Sequence, residues 1–366
     1  MPCAAVVTFE INPHVSSDQH IREARGELGR RLSRLVGCPF EGEFDRERAY
    51  AGKPYFIPSD TLPATIAADL AIETEEDLFG GVVPFPVVAT KAITHALVDA
   101  AATAPQGWSH ELGDHLKAVV LDGFTVFSRE DAMLAGARLL EHGPARTKPA
   151  YASAGRDQIV VADLAELGRV LDAMGAAALS QGLVIEQNLT EVETYSVGQV
   201  RVGGHVASYF GVQRMTTDNR GEPVYGGSDL IVAPGGFAPL LALDLPPEAR
   251  EAVEQARVYD EAVFRAFPGL FASRRNYDVV SGLDARGRRR MGVLEQSWRM
   301  GGASAAELAA LDAFRADPSL RAVRASTFEL YGGVEPPVGA AIYFHGVDDR
   351  IGPITRYATV APYDPR

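Results

Sequence analysis

The chain has 366 residues, 46% hydrophobic and 23% charged, a composition typical of a globular protein with two or three domains and a sizeable core. Its formal net charge of −13 at pH 7 argues against a general nucleic-acid binder, and no apolar stretch is long enough to span a membrane. The first residues lack the basic region of a secretion signal, and two cysteines, Cys3 and Cys38, are too few for a disulfide framework or a cysteine-built zinc site. We therefore expect a reducing, cytoplasmic location.

Hydrophobic periodicity predicts a small α/β unit at the N-terminus, with strands at 3–10 and 53–58 and a helix at 17–36 between them. After a proline-rich junction at 82–86, helices are predicted at 90–103, 129–141, 164–175, 247–266 and 304–315. Strands are predicted at 145–149, 158–161, 182–187, 194–201, 205–215, 277–283, 290–297, 323–331, 339–345 and 353–360. The antiparallel hairpins of the second half exclude a simple doubly wound sheet and indicate α+β layers.

Two segments carry candidate nucleotide chemistry. The first is a strand that ends in Lys148 and leads into a small-residue loop at 150–157. Such a loop lets backbone N–H groups approach phosphate oxygens, and the lysine adds a compact positive charge; a surface lysine before an ordinary turn is the alternative. The second is an apolar strand that ends in Glu186 and bends into a further strand. This hinge can offer backbone groups to an adenine edge while Glu193 holds ribose hydroxyls; an acidic loop is the alternative.

A third segment is the predicted hairpin that carries Asp278 and Glu295 on its two strands. Residues on paired strands can face each other, and two close carboxylates repel unless a cation lies between them. Mg²⁺ bound by one or two carboxylates and by ATP phosphates meets that requirement. Arg299, two residues beyond Ser297, can reach a transferring phosphoryl group or an acyl oxygen. A salt-bridged hairpin is the alternative.

In this order and at this spacing, the segments between about Pro84 and Ser304 resemble the ATP-grasp superfamily. The resemblance implies an α+β fold in which two lobes hold ATP between them. The implied nucleotide-binding residues are Lys91, Lys148, Ser153, Gly155, Glu186, Gln187, Leu189 and Glu193. The implied metal ligands are Asp278, Glu295 and Ser297, and Arg299 completes a sequence similar to the E-x-N-P-R signature of the superfamily.

The sequence departs from this pattern at three places, and one of them is Trp298, which stands where the signature has proline. Ser297 stands where the superfamily has an asparagine metal ligand, which leaves a second metal site open unless Gln296 compensates. Asn276 stands where many relatives have an arginine two residues before the first acid, and Arg274 or Arg275 is a candidate substitute.

Several charged residues and histidines lie outside the segments that carry the resemblance or have no role in it. Arg214 ends a strand predicted to run toward the nucleotide, and its guanidinium suits a substrate carboxylate or phosphate. His95 is expected on a helix surface, and His345 at the end of a strand without a functional role. The run 288–290, three arginines, and Asp348 are expected to be exposed at hairpin turns.

These observations predict a pre-ATP-grasp-like α/β unit at 1–88 and an ATP-grasp region at 89–320, with lobes at 89–185 and 186–320. The strands at 321–366 are expected to complete the second lobe or the N-terminal unit. The resemblance implies a ligase that uses ATP and Mg²⁺, with Mn²⁺ as a substitute, to join a small-molecule carboxylate to an amine or thiol through an acyl phosphate. A homo-oligomer is compatible with the sequence, and neither nucleic acid nor membrane is expected as a partner. A small-molecule kinase and a non-catalytic nucleotide-binding protein are the alternatives.

Overall fold

The computed structural model describes residues 3–11, 18–152 and 157–363. The first part of the fold is a parallel sheet ordered β2-β1-β3. Its elements are β1 (Cys3–Phe9), α1 (Gln19–Val36), β2 (Phe40–Glu43) and β3 (Lys53–Pro58). Helix α1 buries Leu28, Leu32 and Leu35 on one side and ends at Gly37, whose φ of 83° suits a residue without a side chain. The predicted N-terminal α/β unit is thus confirmed, with β2 as an additional strand.

Cys3 and Cys38 form a disulfide, with their Cα atoms 6.0 Å apart. This bond was not expected from the sequence, because nothing in the spacing of two cysteines 35 residues apart indicates that they lie close together. The fold brings them together, since α1 returns the chain so that β2 lies beside β1. The expected cytoplasmic location stays a prediction.

A second small sheet, ordered β13-β5-β4, follows the N-terminal unit. Its elements and the short helices around it are β4 (Leu62–Pro63), α2 (Ala64–Asp69), β5 (Gly81–Val83), β13 (Phe271–Ala272) and 3₁₀ turns at Glu75–Asp77 and Pro86–Ala89. Because β13 comes from much later in the chain, this sheet ties the N-terminal half of the protein to its C-terminal half.

The prediction of a helix at 90–103 is wrong. The chain makes a short 3₁₀ turn at Lys91–Thr94, and the side chain of Thr90 caps it. Residues 91–98 are buried except for Ala96, so the segment passes through the core. A surface helix would place Lys91, Thr94 and His95 on one solvent-facing side, but the structure buries all three.

A four-stranded antiparallel sheet with two helices forms the next part of the fold, with strand order β6-β9-β7-β8. Its elements are α3 (Leu112–Leu116), β6 (Gly123–Val126), α4 (Arg129–Leu140), β7 (Ala145–Pro149), β8 (Ile159–Val161), α5 (Leu164–Leu179) and β9 (Leu183–Gln187). Helices α4 and α5 begin after Ser128 and Asp163, whose side chains accept hydrogen bonds from backbone N–H groups of the first turn.

The largest part of the fold is an eight-stranded antiparallel sheet, ordered β15-β14-β10-β11-β12-β16-β18-β17. Its strands are β10 (Thr190–Val202), β11 (His205–Thr217), β12 (Pro223–Pro234), β14 (Arg274–Leu283), β15 (Arg289–Ser297), β16 (Val323–Tyr331), β17 (Ala341–Asp348) and β18 (Gly352–Pro362). The accompanying helices are α6 (Phe237–Leu241), α7 (Pro247–Ala266) and α8 (Ser304–Ala316). Helix α7 packs on one face of the sheet, and α8 and α1 pack on the other.

Strand β12 was not predicted, because Gly226-Gly227 indicates a turn. A Cβ on Gly227 would lie 2.0 Å from the carbonyl oxygen of Thr327, so glycine here allows two strands to approach. The last three strands, β16, β18 and β17, extend the large sheet beyond β12. The predicted domain boundaries stay predictions. Within the described residues, no helix is both long and apolar enough to cross a membrane.

Candidate active site

Lys148, Glu186 and His95 form a buried ionic group on the four-stranded sheet. Lys148 on β7 pairs with Oε1 of Glu186 on the neighbouring β9, and Nε2 of His95 lies 3.1 Å from Oε2 of Glu186. The exposed fraction of each residue is 4% or less. Burial alone would raise the pKa of Glu186, but Lys148 and His95 outweigh burial and lower that pKa to about 2. The carboxylate therefore stays ionised and holds the Lys148 ammonium in place.

The expectation that His95 lies on a helix surface is wrong, since its exposed fraction is 2%. A Cβ on Gly123 would lie 2.8 Å from Cε1 of His95, so the glycine makes room for the ring. The only indication of this burial in the sequence is the apolar run at 96–98, since Lys91, Thr94 and Asp99 would share a polar helix face with His95.

We expect Lys148→Met to destabilise the fold by about 3–5 kcal/mol, because it leaves the carboxylate of Glu186 buried without its ammonium partner. Urea unfolding measures this loss. The double variant Lys148→Met/Glu186→Gln should recover most of the stability, since neither charge is then buried alone. Both variants should bind ATP more weakly by calorimetry. Wild-type ATP affinity in the double variant would show that Lys148 does not contact the nucleotide.

Lowering the pH should test the ion pair of Glu186 and Lys148 through its effect on the free energy of unfolding. The pKa of Glu186 is about 2 in the folded protein against an ordinary value of 4.5, so the folded state binds this proton more weakly. The resulting stabilisation, about 3 kcal/mol, is complete above pH 4.5 and is lost as the pH falls toward 2. The free energy of unfolding of the wild type should therefore fall by about this amount relative to that of Lys148→Met/Glu186→Gln over this range. A difference that does not change with pH would contradict the assignment.

The hinge between β9 and β10 places the remaining predicted adenosine contacts next to this group. The N–H of Gln187 donates to the carbonyl of Asp122 at 2.7 Å, and Leu189 is buried. Glu193 is exposed on β10 beyond a bulge, and its carboxylate accepts a hydrogen bond from Tyr195. An exposed acid at this point suits ribose hydroxyls, and that role stays a prediction.

Asp278 and Glu295 face each other directly across β14 and β15, as the hairpin predicts. Oδ1 of Asp278 accepts hydrogen bonds from the amides of Asn276 and Gln213, each at 3.0 Å, and from the hydroxyl of Ser196 at 3.5 Å. Among the residues that the structure describes, no donor bonds Oδ2. Burial and the charge of Glu295 raise the pKa of Asp278 to about 6. A cation between the two carboxylates would relieve their repulsion.

Lys91 connects this carboxylate pair to the small-residue loop. Its Nζ lies 2.9 Å from Oε2 of Glu295 and also donates to the carbonyl of Ala152. The side chain of Lys91 is 7% exposed, so its ammonium is a nearly buried cation that neutralises Glu295 in this structure. Ser153 and Gly155, the predicted phosphate contacts of the loop, lie outside the described residues.

The carboxylate pair fits a magnesium ion. Mg²⁺ prefers oxygen ligands and usually takes one or two carboxylates while water and phosphate fill its other positions. Within residues 3–11, 18–152 and 157–363, no group of three or more His, Cys, Asp or Glu side chains forms a complete metal site. A metal held by Asp278 and Glu295 therefore depends on further oxygens, such as those of a nucleotide.

We expect Lys91→Met to bind Mn²⁺ without nucleotide at least about tenfold more tightly than the wild type, because in the wild type the ion must displace the ammonium from Glu295. Electron paramagnetic resonance of free Mn²⁺ measures the affinity. Lys53→Met is a matched control, since Lys53 also pairs with acids, Glu73 and Asp77, but in the N-terminal unit. Equal Mn²⁺ affinities for Lys91→Met and the wild type would refute this competition.

Gln296 does not compensate for Ser297 as a metal ligand. Its amide nitrogen donates to the carbonyl of Thr90 at 2.7 Å, and its oxygen accepts from the hydroxyl of Tyr259 at 2.8 Å. Successive residues of a strand point to opposite faces, so Gln296 lies on the face away from Glu295. Its contact instead fixes the segment that carries Lys91. Ligation by Ser297 stays a prediction.

Neither candidate substitute takes the place of an arginine beside Asp278. Arg274 is buried against Glu307. Arg275 pairs with Asp260 at 3.2 Å on the opposite face of the strand.

Arg299 and Arg214 lie in different surroundings. Arg299 follows the buried Trp298, and its Nε lies 3.6 Å from Oδ1 of Asp60, with 36% of the side chain exposed. Arg214 is held more closely, with Nε 2.6 Å from Oδ2 of Asp229 and Nη2 donating to the carbonyl of Thr327 at 2.6 Å. Arg299 is therefore the more available of the two guanidinium groups, and the substrate roles of both stay predictions.

The remaining expectations have mixed outcomes. Asp348 was expected to be exposed but is buried, because its carboxylate accepts hydrogen bonds from the backbone and ring of His20. His345 is partly exposed on β17 and lies 3.6 Å from a carboxylate oxygen of Glu335. In the arginine run at 288–290, the first two residues are exposed as expected and the third is partly buried. Each of the three also pairs with an acid, which was not expected.

Comparisons with known proteins bear on the family and the fold of the chain. The sequence matches the family described as Protein of unknown function (DUF3182) over residues 7–358, and no curated protein matches it. A biotin carboxylase from Campylobacter jejuni, solved as a β-γ-ATP complex, aligns over 98% of this chain and 87% of its own, with a TM-score of 0.52 and 10% identity. D-alanyl-alanine synthetase A from Vibrio cholerae aligns over 81% and 89%, with a TM-score of 0.45 and 13% identity. The ATP-grasp ligase PsnB, solved with a minimal precursor, aligns over 82% and 92%, with a TM-score of 0.41 and 13% identity. The predicted ATP-grasp fold is confirmed.

Proposed function

The chain belongs to the DUF3182 family and has the ATP-grasp fold, and we propose that it is an ATP- and Mg²⁺-dependent ligase that joins a carboxylate to an amine or thiol through an acyl phosphate. One observation carries the proposal. Asp278 and Glu295 face each other on adjacent strands, and the ammonium of Lys91 reaches Glu295 from the segment that precedes the four-stranded sheet. A site with two acids and an ammonium that also donates to the carbonyl of Ala152, at the small-residue loop, suits a metal–triphosphate complex.

In this proposal, the nucleotide lies between the two antiparallel sheets. Lys148 and Lys91 bind its phosphates, the hinge from Glu186 to Leu189 binds the base, and Glu193 binds the ribose. Asp278 and Glu295 hold Mg²⁺, which neutralises phosphate charge when it is bound. Phosphoryl transfer needs little covalent help from the protein, so positioning and charge are the main contributions of these residues.

Arg299 would serve the acceptor side of the reaction. A carboxylate oxygen of the substrate attacks the γ-phosphorus, and the electron pair of the broken P–O bond leaves with ADP. The guanidinium of Arg299 stabilises the negative charge that develops on the acyl group. An amine or thiol then attacks the acyl carbon, phosphate leaves with the electron pair of the C–O bond, and the proton of the nucleophile passes to solvent.

Hydroxylamine tests this function without knowledge of the natural nucleophile. The protein is incubated with ATP, Mg²⁺, hydroxylamine and a panel of small carboxylates, and hydroxamate, ADP and phosphate are measured. One carboxylate should give all three in equal amounts, and ¹⁸O from that carboxylate should appear in the phosphate. Omission of hydroxylamine and of the carboxylate provides the two controls.

Other products would support other functions. AMP and pyrophosphate would indicate adenylation and refute the acyl phosphate. A stable phosphate on a substrate hydroxyl would indicate a small-molecule kinase. ATP binding without turnover of any carboxylate would indicate a non-catalytic nucleotide-binding protein.

A further inference from the structure

Behind the segment that carries Arg299 lies an ion pair with almost no solvent contact. The side chains of Arg274 and Glu307 are 2% and 0% exposed, and Nη2 of Arg274 lies 2.8 Å from Oε1 of Glu307. Nε of Arg274 donates to both oxygens of the same carboxylate at 3.1 Å. Replacing a whole buried ion pair by apolar side chains is often neutral or stabilising, so stability alone does not account for this pair.

The third nitrogen of the guanidinium binds the backbone. Nη1 of Arg274 donates to the carbonyl of Arg299 at 2.5 Å and to that of Ser297 at 3.4 Å. A guanidinium presents its N–H donors in a rigid plane, so the group that binds Glu307 also fixes these carbonyls. The backbone that carries Arg299 is therefore tied to α8, on which Glu307 lies.

The carboxylate of Glu307 is also connected to Asp278, one of the two proposed metal ligands. The hydroxyl of Tyr209 lies 2.7 Å from Oε1 of Glu307 and 2.9 Å from Oδ1 of Asn276, and its single proton is donated to one of these two acceptors at a time. The amide nitrogen of Asn276 donates to Oδ1 of Asp278 at 3.0 Å. A continuous chain of polar contacts thus runs from the carbonyl of Arg299 to the carboxylate of Asp278. Tyr209 is fully buried, so water does not replace its hydroxyl in this chain.

We propose that Glu307, acting through Arg274 and Tyr209, is a positioning residue that fixes Arg299 relative to Asp278 for phosphoryl transfer. This inference rests on the proposed function, because it assigns the network to the acid and the arginine that the reaction uses. Asn276 is the amide that passes the restraint to Asp278, and Arg274, two residues earlier on the same face of β14, is the buried cation of the network that binds Glu307. Such supporting groups change metal affinity or activity about tenfold to hundredfold when they are removed.

Tyr209→Phe tests the network with the smallest change, since it removes one hydroxyl. We expect the complex with ADP to bind Mn²⁺ about tenfold more weakly, measured by electron paramagnetic resonance, while ADP affinity by calorimetry stays at the wild-type value. Tyr343→Phe is the matched control, because it removes a buried hydroxyl that donates to the carbonyl of Ala305 at 3.2 Å. The control should bind Mn²⁺ like the wild type.

The double variant Arg274→Met/Glu307→Leu tests the ion pair while leaving no charge buried alone. It should unfold in urea cooperatively, keep its KM for ATP, and hydrolyse ATP about tenfold to hundredfold more slowly. Wild-type Mn²⁺ affinity in Tyr209→Phe together with wild-type turnover in the double variant would overturn the inference and leave the proposed function intact. A wild type that does not bind Mn²⁺ with ADP would overturn the proposed function, and the inference with it.

Discussion

Replacing Glu295 by glutamine should lower the rate of ADP formation on the order of a thousandfold while the protein still binds ADP. Glutamine keeps the size of the side chain but removes the negative charge that, with Asp278, attracts the metal across β14 and β15. The loss should therefore fall on turnover, because the base and ribose contacts on the hinge are unchanged. Calorimetry with ADP and a coupled assay of ADP release measure the two quantities.

The design must separate the metal from the ammonium, since Glu295 also binds Lys91. Lys91→Met removes the ammonium but keeps the carboxylate, so with ADP it should still bind Mn²⁺, whereas Glu295→Gln should not if the lost metal ligand is the cause. Glu251→Gln is the control for charge loss alone, because Glu251 pairs with Arg289 on the surface. Turnover within twofold of the wild type in Glu295→Gln, about 0.4 kcal/mol, would refute the metal assignment.

A crystal grown with ATP and Mn²⁺ provides an independent check. Anomalous density between Asp278 and Glu295 would support the assignment, and density away from both carboxylates would contradict it. The hydrogen bonds on Oδ1 of Asp278 leave Oδ2 as the oxygen expected to contact the ion.

Much of the fold was predictable because local patterns decide it. Helix α4 begins after Ser128, which together with Asp131 has the S-x-x-D spacing of a capping box. Strands β10 and β11 meet at Gly203-Gly204, a pair typical of tight hairpins, and both glycines have positive φ. The pairing of Asp278 with Glu295 also follows from local information, since one hairpin connects their strands. Turn chemistry and periodicity act over a few residues, and a single sequence displays them directly.

Contacts between distant residues were the part that sequence reasoning missed. His95 meets Glu186 across 91 residues, and Arg274 meets Glu307 across 33. The pairing in both cases depends on how distant strands and helices pack together, which periodicity does not encode. The helix predicted at 90–103 is wrong for a related reason. Lys91, Thr94 and His95 have the spacing of one helix face, but the structure buries them against residues that are distant in the sequence: Glu295, Tyr259 and Glu186.

Replacing Arg299 by lysine should lower turnover by about a hundredfold to a thousandfold and leave ATP affinity unchanged. The guanidinium can bind two oxygens of an acyl phosphate or its transition state at once, whereas an ammonium is a single compact charge. Arg299 is the better candidate for this role because its Nε lies 3.6 Å from the nearest carboxylate, that of Asp60, whereas Nε of Arg214 lies 2.6 Å from Oδ2 of Asp229. The two side chains are almost equally exposed, and each also donates to a backbone carbonyl.

The contact of Arg299 with Asp60 does not argue against this role. Nε and Oδ1 are 3.6 Å apart, and the two side chains are 36% and 66% exposed. Exposed ion pairs of this kind contribute about 1 kcal/mol or less, so a substrate carboxylate can displace Asp60. Asp60→Asn should therefore change turnover by no more than about fivefold, the equivalent of 1 kcal/mol.

The rate of hydroxamate formation with the carboxylate identified by the hydroxylamine screen measures the effect of Arg299→Lys, and calorimetry measures ATP affinity. Arg289→Lys is the matched control, because it makes the same substitution at a surface salt bridge. If Arg299 acts on the acyl group, Arg299→Lys should lower kcat with little change in KM for ATP, since the interaction is made in the transition state. A raised KM for ATP with wild-type kcat would instead place Arg299 on the nucleotide, and wild-type values of both would exclude it from the site.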